Sequence, residues 1–166
     1  MSDDDDAARR VAGDLSSAID AELPRLGAIG DAGAAEPISP GKWSRKQVIG
    51  HLVDSALNNN QRFVRAQLDG PLVFPGYAQD GWVEVQAHQE RPWADLLTLW
   101  TTLNRHLVHV LDHLDPRTLE TPCTIGNGAP VTLRYIAEDY VRHLRHHLAQ
   151  VLTPEVAAGK AHPPYA

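Results

Sequence analysis

Three histidines fall within five residues of the run DYVRHLRHHLAQV, Asp139 to Val151. Imidazole ligates metals and exchanges protons near neutral pH, so the first question is which of the three face inward. The run reads as helix. At about 100° per residue its apolar face is set by Leu133, Ile136, Ala137, Tyr140, Leu144, Leu148 and Val151. That register puts His147 inside the stripe and His143 on its edge, about 40° away around the axis. His146 falls on the opposite, solvated side. Imidazoles at i and i+4 project from one face and can reach one metal ion. The same spacing suits two core-edge histidines hydrogen-bonded to side chains. The pair alone leaves both readings open.

Two other clusters compete for attention. His106, His109 and His113 stand at i, i+3, i+7 in RHLVHVLDHL, which is also ligand-like spacing. Their projections point away from the neighbouring apolar stripe, so this cluster is expected to face water. In WSRKQVIGHLVDSALNNNQRF, residues His51, Asp54, Ser55, Asn58 and Arg62 share one polar stripe. Periodicity by itself makes that stripe the solvated face, because the apolar side centres on Val48, Ile49, Leu52, Ala56 and Phe63. His88 and His162 belong to no pattern. The single cysteine, Cys123, can form neither an intramolecular disulfide nor a cysteine metal cluster, and no neighbouring base marks it as a nucleophile.

The elements that must position these groups are helical. A first helix is expected from about Asp5 to Leu23, with Val11, Leu15, Ile19 and Leu23 at i, i+4 spacing and an uncertain exit at Pro24. After the break GDAGAAEPISPGK, Ser44 opens a second helix through the capping box SRKQ, and this helix stops near Asp69, before Gly70-Pro71. A third runs from Pro92 to Leu114 with Trp93, Leu96, Trp100, Leu103, Leu107, Val110 and Leu114 in a heptad-like stripe. The fourth runs from the N-cap Thr132 to about Leu152. No segment shows a sustained period of two, so sheet content near zero is expected. The link from Gly70 to Arg91 carries Phe74, Tyr77 and Trp82; they form either a small satellite cluster or the roof of a pocket. Trp43, Trp93 and Trp100 are expected to pack.

Length and composition agree with an all-α, four-helix bundle in one domain over residues 1–152. Residues 153–166 are expected to form an extended or disordered tail. The chain has 166 residues, 43% hydrophobic and 22% charged, with a net charge of −6. That acidic balance argues against nucleic-acid binding. The opening MSDDDDAARR is no signal peptide, and no apolar run approaches the ~20 residues of a membrane span, so a cytoplasmic protein without membrane contact is expected.

KWSRKQVIGHLVDSALNNNQRF, GYAQDGWV and TLRYIAEDYVRHLRHHLAQV together resemble the DinB/YfiT-like family of metal-dependent enzymes, over roughly Leu15 to Leu152. The resemblance implies a four-helix bundle holding one divalent metal ion per chain, zinc or nickel, on one histidine of the second helix and two of the last. Carried over, these ligands are His51, His143 and His147, with His146 left out. The polar stripe of the second helix then opens into a metal cavity rather than onto water. Three ligands leave a coordination position open, as in catalytic sites. A metal-dependent hydrolase is implied, or a transferase using a low-molecular-weight thiol such as bacillithiol or mycothiol. Asp54 and Asp139 are the candidates to orient the ligands, and Asn58 and Arg62 to hold an anionic small-molecule substrate. A homodimer is also implied. The alternatives are a non-catalytic metal-binding bundle and a metal-free helical interaction module.

Overall fold

A computed structural model describes residues 3–153; the expected tail, but for Thr153, lies outside them. Four long helices dominate: α1 (Asp3–Gly27), α3 (Arg45–Leu68), α5 (Trp93–Asp112) and α6 (Leu133–Leu152). Short helices α2 (Asp31–Ala35) and α4 (Gln79–Val85) lie in the connections. The caps act as the sequence implies. Ser44 Oγ accepts from Gln47 N while Gln47 Oε1 accepts from Ser44 N at 2.9 Å, and Thr132 Oγ1 accepts from Tyr135 N. Pro24 does not end α1, which runs on to Gly27. A proline costs a helix one hydrogen bond and a steric adjustment, and packing of the surrounding turns can carry both.

Sheet content is small, as expected, but it is not zero. Strands β1 (Leu72–Phe74), β2 (Pro122–Ile125) and β3 (Val131–Thr132) form a small sheet in the order β1-β2-β3, the first pair parallel and the second antiparallel. Strands this short cannot display a period of two. The sheet ties the link after α3 to the link before α6.

Helix α1 packs beside α5 and α6, and α3 packs beside the same two. The ring order is therefore α1-α5-α3-α6, with α1 diagonal to α3. Polar contacts give the directions. Trp93 Nε1 at the start of α5 donates to Leu26 O at the end of α1, so these two are antiparallel. Arg45 Nε at the start of α3 donates to Val151 O at the end of α6, which makes that pair antiparallel too. Gln67 of α3 accepts from the backbone of Asp115, just beyond α5, so α3 and α5 run parallel. Parallel neighbours need a connection that travels the length of the bundle. The link of residues 69–92 does this, and α4 and the 3-10 turn His88–Glu90 lie along α3 as it returns.

The core is apolar, with Leu15, Ile19, Ile49, Leu52, Phe63, Leu96, Trp100, Leu107 and Leu144 buried. One polar bond crosses it on the diagonal: Tyr140 OH donates to Asn104 Oδ1 at 2.6 Å, and Asn104 Nδ2 donates to Trp100 O at 2.8 Å. Each of these groups would be costly to bury alone.

Candidate metal centre

The returning link changes the fate of α3's polar stripe. His51, Asp54, Ser55, Asn58 and Arg62 are all buried, because α6 covers the side of the stripe that carries His51 and Ser55 while the link covers Asp54 and Arg62. His51 stands two turns into α3 and faces the C-terminal half of α6, where His143 and His147 meet it. The three side chains offer ligand atoms that all lie within 4.8 Å of one another. His51 Nε2 is 3.1 Å from His143 Nε2, and the ring centroids of His147 lie 4.8 Å from His51 and 4.5 Å from His143. Two imidazole nitrogens that share one ion at ~2.1 Å stand about 3.0–3.4 Å apart for angles of 90–109°. The observed separation fits. Trp43 closes one side, with its ring 5.3 Å from that of His51.

The depth order on α6 differs from the helical projection. His143 is 2% exposed, whereas His147 is half-buried. A projection ranks residues around one axis, but burial also depends on where neighbours lie along it. His143 lies opposite Ser55 at mid-helix, and His147 lies nearer the bundle end. His146 is half-buried rather than fully solvated, with its Nε2 3.2 Å from Gln150 Nε2. His106, His109 and His113 are exposed on α5, as their spacing implies.

Two polar side chains stand at outer nitrogens of the set. His143 Nδ1 lies 3.5 Å from Ser55 Oγ, and His147 Nδ1 lies 2.7 Å from Gln150 Oε1. Such contacts fix tautomer and ring orientation. Gln150 sits three residues after His147, a helical neighbour that spacing could have revealed. Asp54 is buried, but its Oδ1 accepts from Gln86 Nε2 at 2.7 Å and lies 3.4 Å from His88 Nε2. Asp139 is buried as well and pairs with Arg142 at 3.0 Å. His88 is 1% exposed and occupies a slot over Gly50, where a Cβ would fall 2.3 Å from its Cγ. No local pattern marks His88. The only signal is the glycine inside a helix, which suggests a close approach.

Beside the histidines, a cleft runs between α3 and α6. Its wall includes Ser55, Asn59 and Arg62 from α3, Tyr135, Ile136, Asp139, Tyr140 and His143 from the α6 side, and Ile125 and Val131 from the sheet. Arg62 is in this wall but Asn58 is not; Asn58 Nδ2 instead donates to Asp54 O at 2.9 Å. Burial lowers the pKa of the Arg62 guanidinium from its ordinary value, with Tyr77 and Asp139 acting in the other direction. An arginine still keeps its charge. Of the link's aromatics, Phe74 has its ring centroid 5.6 Å from the Arg62 guanidinium, and Tyr77 packs on Trp82. Burial, then the charge of Asp54, pushes the Tyr77 hydroxyl well above its usual range. Cys123 is buried in β2, where burial pushes its thiol up to about 11.

The family model described as the DinB superfamily matches residues 14–151. The chain belongs to the DinB superfamily. Its relatives include a Bacillus mycoides protein named "Putative metal-dependent hydrolase", 28% identical over 69% of this chain and 66% of the relative. A Bacillus cereus protein of the same name is 27% identical over the same shares. The match therefore spans just under two thirds of these relatives' own length. Among solved structures, YfiT from Bacillus subtilis superposes with a TM-score of 0.70 at 20% identity, covering 97% of this chain and 91% of YfiT. It is described as "a probable metal-dependent hydrolase with an unusual four-helix bundle topology". That likeness shows the fold, an all-α bundle of the DinB type. The diagonal placement of α1 and α3 is how this chain departs from a simple up-and-down bundle.

Proposed function

We propose that the protein is a metal-dependent hydrolase of a small molecule, with one divalent ion held by His51, His143 and His147. The observation that carries this is the convergence of three imidazoles from two antiparallel helices, two of them buried and 3.1 Å apart at Nε2. All-imidazole donor sets suit zinc and nickel, and those are the ions expected. The printed names of the relatives agree with this chemistry.

When bound, a divalent ion on three protein ligands supplies Lewis acidity toward a substrate oxygen and acidifies water. The chain's own residues do the rest. Ser55 and Gln150 hold the rings of His143 and His147 so that their inner nitrogens stay directed at one point. Asp54, Gln86 and His88 fasten the link over α3 and keep bulk water from the polar face. Asp139 and Arg62 give the neighbouring cleft its charges.

Transfer to a low-molecular-weight thiol would use the same three histidines, so a thiol co-substrate belongs in the substrate screen. A cytoplasmic homodimer completes the reading. Among the described residues no helix is long and apolar enough to cross a membrane. Elemental analysis after reconstitution and desalting tests the site, with about one equivalent of zinc or nickel per chain expected. Metal-dependent turnover in a panel of esters, amides and thiol-acceptor pairs tests the activity. Retention far below one equivalent would refute the site. An intact metal centre with no turnover would favour a binding protein over an enzyme.

A further inference from the structure

The histidines of α5 stand apart from the candidate metal centre, and two of them form a close pair. His109 and His113 are exposed and lie at i, i+4 at the end of α5, with His113 as its C-cap. Residues at this spacing share one helix face. Their ring centroids are 4.2 Å apart, with 38° between the ring planes. The i, i+4 pair of the centre, His143 and His147, has its centroids 4.5 Å apart. The exposed pair is therefore drawn together as closely as the inner one.

The helix end decides where His113 carries its proton. The last carbonyls of a helix have no amide of their own to accept from. The His113 amide donates to Val110 O at 3.3 Å, which leaves His109 O for a side chain, and His113 Nδ1 lies 2.8 Å from it. A carbonyl only accepts, so Nδ1 bears the hydrogen and Nε2 of the neutral ring keeps its lone pair. This is the form in which imidazole ligates a metal, one nitrogen held by a carbonyl and the other free to bind. The end of α5 is also the negative pole of its helix dipole, and Asp112 is its last residue, so a cation is favoured there.

We propose that His109 and His113 form a second, accessory site for a divalent transition-metal ion. His113 gives Nε2, His109 gives one ring nitrogen, and water completes the coordination. Imidazole donors select late first-row ions, copper(II) ahead of nickel and zinc. Two ligands on an open surface hold an ion less tightly than three in a covered site. The accessory site therefore fills after the centre and empties on desalting. It is also remote from the centre. Asp115 N, just beyond His113, donates to Gln67 Oε1, which sets the end of α5 level with a point sixteen residues past His51 on the parallel α3. That is a rise of about 24 Å. The two sites take separate ions, whatever reaction the centre performs.

Titration calorimetry with zinc chloride tests this on the full-length chain, first loaded with zinc and desalted. One further, weaker equivalent is expected. H109A and H113A should each weaken it about tenfold or more, since each leaves a single imidazole. H106A should leave it unchanged. All three residues are exposed on α5, so the variants keep the fold. Nitrogen resonances of the imidazoles give a second readout on the metal-free chain: His113 should carry its proton on Nδ1, and added zinc should shift its Nε2. No further zinc binding by the loaded chain overturns the proposal. So does a second equivalent that survives in the H109A/H113A double variant, or a His113 proton on Nε2. The H51A variant separates this site from the centre. There the weak equivalent should persist and vanish on adding H109A, so failure of the three-histidine centre and failure of the accessory site are told apart.

Discussion

Gly50 lies inside α3, where helix propensity alone says that Gly50→Ala should stabilise by about 1 kcal/mol. The structure reverses the sign. An added Cβ would stand 2.3 Å from His88 Cγ, 2.4 Å from Cδ2 and 2.6 Å from Cβ. These atoms are close to the His88 backbone, so no rotation of the ring clears them. Either the link lifts away or His88 leaves its slot. Overpacking of a tight contact costs about 1–3 kcal/mol, and taking the imidazole from a buried carboxylate, Asp54, adds about 1–3 kcal/mol. Less the propensity gain, the net loss is about 1–5 kcal/mol, a fall of about 2–20 °C in Tm for a chain of this size. Thermal unfolding followed by circular dichroism reads the change. A double-mutant cycle identifies its source: in a His88→Ala background the slot is open, so Gly50→Ala should become neutral or stabilising. If Gly50→Ala raises Tm in the unaltered chain, or costs the same with and without His88, the link is not seated on α3 as described.

Alanine at His51, His143 or His147 should remove most metal affinity by calorimetry, since each leaves two imidazoles to hold the ion, whereas His146→Ala and the triple alanine change at His106, His109 and His113 should leave it nearly intact; equal losses in both sets would mean a wrong helix register. Ser55→Ala and Gln150→Ala, which free the outer nitrogens of His143 and His147, should weaken metal binding by about 10–100-fold without changing stoichiometry. Tyr140→Phe leaves Asn104 Oδ1 without its 2.6 Å donor in the core and should cost about 1–3 kcal/mol in urea unfolding; no change in midpoint would show that the diagonal bond contributes nothing. Cys123 has its thiol pushed up to about 11 by burial, so at pH 8 the thiolate is about one part in a thousand. Alkylation should be slow in the folded protein and fast in denaturant, and equal rates would refute its burial.

The four long helices, their caps and the apolar stripes of α5 and α6 follow from local rules that operate within a turn or two of chain. Ser44 with Gln47 and Thr132 before Tyr135 need no distant partner to start their helices. The exposure of His106, His109 and His113 was also legible, because the stripe of Trp93 to Leu114 leaves them only the outer face. The inward His143–His147 pair was visible for the same reason. Its third member, His51, was not visible from periodicity, and it entered only through a family resemblance. Periodicity sees a polar face and assigns it to water, but whether a polar face meets water depends on what crosses it. Here α6 closes over His51, and because α3 and α5 run parallel their connection returns along α3 and covers Asp54 and Arg62. The same crossover brings His88, which follows no pattern, onto Gly50 and Asp54. The short sheet, the greater depth of His143 than of His147, and the choice of Asn59 over Asn58 in the cleft all depend on contacts between segments far apart in sequence. Helix formation and side-chain pattern are decided by neighbours in the chain. Burial of charge is decided by neighbours in space, and only the tertiary structure supplies those.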